Sequence, residues 1–133
     1  VIDYESDIFF ALRDCAVTAV SNTDVIAGAV DRPSRFPCVA IQETNNYSLG
    51  LDSSQREKYA VVQYTIQVFS NKPSGKRLEA KKIFQSVDAW MIQNNFTRRS
   101  KYETPKLYSA SAFEIGATYD AVIDENGHIF TRL

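Results

Sequence analysis

Apolar residues between Glu5 and Val20 return every three or four positions. Ile8, Phe9, Leu12, Cys15, Ala16 and Ala19 share one face, with Glu5, Arg13 and Asp14 elsewhere. That spacing predicts an amphipathic helix. Ser21-Asn22-Thr23-Asp24 ends it, because short polar side chains bond their own backbone and favour turns. Val25 to Val30 reads as a short strand, weakened by Ala27-Gly28-Ala29. Pro33 and Pro37 bracket an extended approach to a strand over Cys38 to Gln42. Thr44 to Gln55 is rich in Asn, Ser, Asp and Gly, with Tyr47, Leu49 and Leu51 as its large apolar groups, and predicts a long exposed loop or arm. Glu57 to Ser70 then alternates: Ala60, Val62, Tyr64, Ile66 and Val68 point one way, Gln63, Thr65 and Gln67 the other. This strand is long enough to predict a bulge or a projecting hairpin end.

Asn71-Lys72-Pro73-Ser74-Gly75 breaks the strand, and a second helix is expected from Lys76 to about Asn94. Ala80, Ile83, Phe84, Val87, Trp90 and Met91 gather on one side of it and should face a sheet. The last third is β-rich. Strands are expected over Phe96 to Ser100, Tyr108 to Ile123 and His128 to Arg132, the last two joined by Asp124-Glu125-Asn126-Gly127. Asn-Gly between extended runs favours a hairpin because both residues tolerate positive φ. The pattern predicts an α+β fold: a mixed or antiparallel β-sheet, two amphipathic helices packed on one face, and a β-meander at the C-terminus.

Composition narrows the function more than it changes the fold. A chain of 133 residues with 44% hydrophobic content suits a single domain over residues 1–133. Fifteen Lys and Arg against sixteen Asp and Glu leave no basic field to hold a phosphate backbone, which argues against non-specific nucleic-acid binding. Apolar runs fall far short of the roughly 20 residues of a spanning helix, and no basic segment followed by an apolar run opens the sequence. Cys15 and Cys38 sit among apolar neighbours and read as buried thiols, with one disulfide between them as the alternative.

Candidate chemistry is sparse. The single histidine, His128, follows a turn, and the two cysteines are far apart in sequence, so neither a nucleophile with its base nor a zinc spacing is evident. Asp120 to Gly127 lacks the alternating ligands of a calcium loop, and Ser74-Gly75-Lys76 lacks the upstream glycine of a phosphate loop. No catalytic residue, metal ligand or cofactor is expected. Interaction surfaces are the better candidates. Lys72, Lys76, Arg77, Lys81 and Lys82 crowd the start of the second helix, where the helix dipole disfavours positive charge. A solvated face is the plain explanation, and an acidic partner the functional one. Leu78, Ala89 and Ile92 form a thin second stripe on the same helix, suited to a subunit contact. The arm carrying Tyr47, Leu49 and Leu51 and the Asn71 to Gly75 turn are expected to touch neighbouring proteins.

Phe36-Pro37-Cys38-Val39-Ala40-Ile41 after an N-terminal helix, a polar loop, and Gln67-Val68-Phe69-Ser70-Asn71 closing a long strand make up a longer pattern. It continues through Gly75-Lys76-Arg77-Leu78-Glu79-Ala80, Asn95-Phe96-Thr97-Arg98-Arg99, Tyr119-Asp120-Ala121-Val122-Ile123-Asp124 and Gly127-His128-Ile129-Phe130. The whole resembles the small tail-terminator, or tail-completion, proteins of long-tailed bacteriophages. It departs from them at Ala112 to Thr118, where related sequences often carry arginines. The resemblance implies a hexameric ring that caps the tail tube, stops its polymerisation and docks to the head-side connector protein. The implied partners are further copies of the chain, the tail tube protein and that connector, with DNA only in passage through the ring and no membrane. Other phage neck components are the nearest alternative. A monomeric ligand-binding domain and a histidine-free enzyme are more distant ones.

Overall fold

The computed structural model of the protein describes residues 1–49, 58–105 and 112–132. Among them the chain order is α1 (Glu5–Ala19), β1 (Asp24–Ala27), β2 (Cys38–Ser48), β3 (Tyr59–Ser70), α2 (Lys76–Gln93), β4 (Thr97–Pro105), β5 (Phe113–Asp124) and β6 (Ile129–Phe130). The strands form one sheet in the order β1-β2-β3-β5-β4. β1 runs parallel to β2 and every other pair is antiparallel. β4 occupies the outer edge of β5 from Phe113 to Asp120, and β6 takes over that edge at Val122 and Ile123. The expected α+β architecture is therefore present, with the C-terminal strands pairing antiparallel on β5.

Alternation decides which face is covered. Val39 and Ile41, then Ala60, Val62, Tyr64, Ile66 and Val68, then Ile115, Ala117, Tyr119, Ala121 and Ile123 are buried in one cluster. Ile8, Leu12 and Ala16 of α1 and Ile83, Phe84, Val87 and Met91 of α2 complete it. Both helices thus lie on the same side of the sheet. Each fully buried aliphatic or aromatic side chain contributes about 1.5–3 kcal/mol to that arrangement. The helices run antiparallel: Ser86 Oγ donates to Cys15 O at 2.9 Å, and the end of α1 lies beside the start of α2.

α2 ends in a pair of bonds that close its last turn, Phe96 N–H to Met91 O at 2.9 Å and Asn95 N–H to Ile92 O at 3.2 Å. Asn95 takes the left-handed conformation (φ 70°) that this ending requires, and its side chain donates to Ile129 O. A second tie crosses the core: the Tyr119 hydroxyl donates to Asp88 Oδ1 at 2.6 Å, and Arg98 reaches the same oxygen at 2.9 Å.

Three local expectations need correction. The loop expected from Thr44 is strand as far as Ser48, because a bulge between Glu43 and Asn45 lets β2 resume pairing with Gln63 to Ala60. Asn46 suits that position since its amide donates to Ile2 O and to Glu43. Of the bulge or projecting hairpin end expected for β3, the bulge is absent: β3 pairs with β5 in unbroken register, and the irregularities fall on β2 and on β4, between Arg98 and Ser100. At the last hairpin only Gly127 has positive φ (84°). Asp124 organises that turn, accepting from Asn126 N–H and His128 N–H at 2.9 Å each. β6 is correspondingly only two residues long.

Candidate interaction surfaces

The basic cluster lies at one end of the helix layer. Gly75, in the left-handed region (φ 85°), turns the chain from β3 into α2. Ser70 Oγ donates to Glu79 at 2.7 Å and accepts from Lys72 N–H, which fixes the turn against the helix. A cleft of about 590 Å³ opens there between Ala19 at the end of α1, the following Val20 and Ser21, and Leu78, Lys72 and Lys82. Leu78 is 70% exposed, far beyond what packing on α2 requires. Arg77 points away from this cleft and bonds Glu103 of β4 at 3.0 Å. Lys81 is half-buried and Lys76 lies at the first residue of the helix. Lys72, Lys76, Leu78 and Lys82 therefore share one end of the molecule, with Arg77 and Lys81 on its flank. Ile92 lies on the same helix more than three turns away, exposed beside Ala89.

The opposite end is acidic. Asp3, Glu5 and Glu43 bring their carboxylates within 4.8 Å of one another. Asp3 accepts from Glu5 N–H, Glu5 accepts from Glu43 N–H, and Glu43 accepts from Asn46 and from the buried Tyr64 hydroxyl. Each carboxylate thus already accepts a hydrogen bond, Glu5 directly linking the start of α1 to β2, and the cluster is explained without a cation. Burial, and then the charge of Glu5, push the Glu43 carboxyl above the ordinary carboxylate range. Such a group holds its proton more tightly in the folded state. Its stabilising contribution is complete below the unfolded pKa and is lost as the pH rises through the folded one. Glu43→Gln is expected to raise the unfolding midpoint at pH 7 and leave it nearly unchanged at pH 4. Urea titrations of both proteins at the two pH values check this.

The helix-free face of the sheet carries a further group of exposed apolar side chains. Tyr47 pairs with Val61, Val61 with Val122, and Val122 with Phe130, so these side chains and Tyr59 share that face at one end of the sheet. Tyr59 and Phe130 meet edge to face with ring centroids 6.5 Å apart, and Leu49 N–H donates to Tyr59 O. Tyr47, Leu49, Tyr59 and Phe130 are each 42–55% exposed. Leu51 lies outside the described residues. Tyr47 and Leu49 are therefore brought together with each other, but not with the lysines at the other end. Tyr59 and Phe130 were missed in the sequence, although their parity, opposite to the core-facing positions of β3 and β5, was the signal available.

Beside this patch Asp120 is 5% exposed and pairs with two arginines, Arg99 Nε at 2.8 Å and Arg132 Nη1 at 2.8 Å. Arg99 is the residue that the β4 bulge leaves unpaired, so the bulge directs it to Asp120. At the other end of the same face Val30 N–H donates to Gln67, Gln67 donates to Glu114, and the Tyr102 hydroxyl donates to the same Glu114 oxygen. Glu114 is 2% exposed. Cys15 and Cys38 are both free. Burial, followed by the charge of Asp24, pushes the Cys38 thiol up to about 11, so it is a poor nucleophile at neutral pH. His128 is exposed at the hairpin and contacts Asp124, at the opposite end of the sheet from Cys38. No described helix is long and apolar enough to cross a membrane.

The sequence profile of a family described as Tail completion protein gp17 matches residues 7–123, from the first turn of α1 to the end of β5. The chain belongs to this family. As a member it is a structural protein of a bacteriophage tail. The stretch matched contains all five long elements that build the core, so membership and the buried pattern describe the same residues. Among solved structures, a chain of the "Virion of native gene transfer agent (GTA) particle" has a similar fold, with a TM-score of 0.65 and 12% identity. The match covers 91% of this chain and 94% of that one. A comparison with curated proteins gave no match.

Proposed function

We propose that this tail completion protein acts as a non-enzymatic, single-domain ring subunit. The ring, a hexamer, caps the tail tube, stops its polymerisation and offers a docking face to the head-side connector protein. The observation that carries the reading is the family match over residues 7–123. The virion chain of similar fold gives it a setting in which such a protein works as part of a particle. Physically, a terminator must engage one neighbour and refuse the next identical one, which calls for two unlike ends. The separate basic and acidic ends, the apolar patch on the helix-free face and the outer edges of β1 and β4 supply surfaces for that purpose. β4 is guarded on its edge by Arg98, Arg99, Lys101 and Glu103, a pattern that resists indiscriminate strand pairing. A net charge of −1 suits DNA that passes through a ring without being held by it.

Tube length in the presence and absence of this chain tests the reading. Tubes assembled without it should run on to irregular lengths, and adding the purified protein should arrest growth. Tubes of fixed length that fail only to join heads would move the role to another neck component.

A further inference from the structure

Leu78 and its lysines have a counterpart on the same chain. Around Glu5 and Ser6, a small apolar recess of about 120 Å³ is lined by Phe9, Phe10, Ala27 and Ile41. That volume is of the order of the roughly 150 Å³ cavity left by an excised leucine. Glu5 stands at its rim, with the carboxylates of Asp3 and Glu43 within 4.8 Å of the Glu5 carboxylate. Arg13 reaches over the Phe10 ring, 4.9 Å from its centroid, so one positive charge also borders the recess. Leu78, in turn, projects among Lys72 and Lys82, with Glu79 beside it and bonded to Ser70. A protruding apolar side chain flanked by two lysines and an apolar socket with three carboxylates at its rim are complementary in shape and in predominant sign.

The geometry points to a contact in which Leu78 of one copy enters the Phe9–Phe10–Ala27–Ile41 socket of a second copy, with Lys72 and Lys82 against Glu5 and Glu43. It rests on the reading that the chain assembles with itself, and adds which two surfaces meet. A subunit cannot satisfy the contact internally. The socket is at the first turn of α1, whereas Leu78 lies beside the last turn of α1, so about 20 Å of helix separates them. The contact is heterologous and leaves one copy with an unused socket and the other with an unused knob, which passes the interaction on until rotation closes a ring.

Two substitutions at exposed positions test this, Leu78→Ser to remove the knob and Ser6→Trp to fill the socket. Absolute mass is measured by light scattering over a concentration series, with circular dichroism confirming that each variant is folded. Each variant alone is expected to self-associate at least about tenfold more weakly than the unmodified chain. Mixed in equal amounts they should form one-to-one pairs and stop, because one supplies an intact socket and the other an intact knob. Rising salt should dissociate the unmodified oligomer. Variants that keep the unmodified oligomer's mass would overturn the contact and leave ring assembly standing. A chain that stays monomeric at every concentration would also overturn it, while tube length would still judge termination separately.

Discussion

Tyr119→Ala is expected to lower the folding free energy by about 4 kcal/mol, the scale of truncating a large buried aromatic side chain. The ring is fully buried at the centre of β5, beneath the helix layer. Its removal opens a cavity bordered by strands on both sides that cannot close without breaking the ladder. The hydroxyl adds a separate effect. It donates to Asp88 Oδ1 at 2.6 Å, and with Arg98 it anchors α2 to the sheet. Burial and the bond to Asp88 raise the Tyr119 pKa, so the hydroxyl stays a donor throughout the working pH range. Tyr119→Phe removes only that donor and should cost about 1.5–2 kcal/mol, as for a hydrogen bond to a charged group. Urea denaturation midpoints of the two variants separate packing from bonding. Equal losses for both would mean that the core refills the space of the ring.

Gly116→Ala comes next, with an expected loss of about 2–3 kcal/mol for adding a single carbon. Tyr102 lies across Gly116 from the neighbouring strand, and a Cβ at Gly116 would occupy the position of its ring and hydroxyl. Tyr102 is 45% exposed and can swing outward. Doing so withdraws its hydroxyl from Glu114, a carboxylate 2% exposed that would lose one of its donors. Loss of a partner to a buried charged group carries a penalty of about 1–3 kcal/mol or more. Burial, and then the bond to Glu114, push the Tyr102 hydroxyl up to about 12, which keeps it protonated and donating. The mechanism has a signature of its own. If the added methyl acts by ejecting Tyr102, combining it with Tyr102→Ala should cost little more than either change alone, whereas independent effects would add.

The sequence was legible wherever period and burial coincide. Both helices could be placed to within a residue or two because Ile8, Leu12 and Ala16, and Ile83, Val87 and Met91, keep a helical period on a single buried face. β3 was legible for the same reason at period two. Legibility failed where backbone pairing alone carries a segment. Thr44 to Ser48 has the composition of a loop, yet its amides pair with β3, and Asn46 satisfies itself against Ile2. The surfaces were half legible. The lysines announce themselves because they oppose the dipole of α2, but the socket near Glu5 does not. It is assembled from α1, β1 and β2, and no window of sequence contains it. Glu114 is similarly silent, since its partners Gln67 and Tyr102 lie on two other strands.

The position of β5 between β3 and β4 also governs how the chain reaches this state. β3 and β5 share twelve paired positions, but α2 and β4 intervene between them in sequence. The central ladder therefore cannot zip up from a local turn as β6 does with β5. It must wait for a large loop to close, at an entropic cost that precedes any gain from pairing. Folding should accordingly be limited by the arrival of β5, in the millisecond-to-second range of domains rich in non-local contacts, and not by its helices. Until that strand arrives, the inner edge of β3 lies open to any other extended segment, so newly made chains are most exposed to mispairing at the very strand that later forms the middle of the sheet.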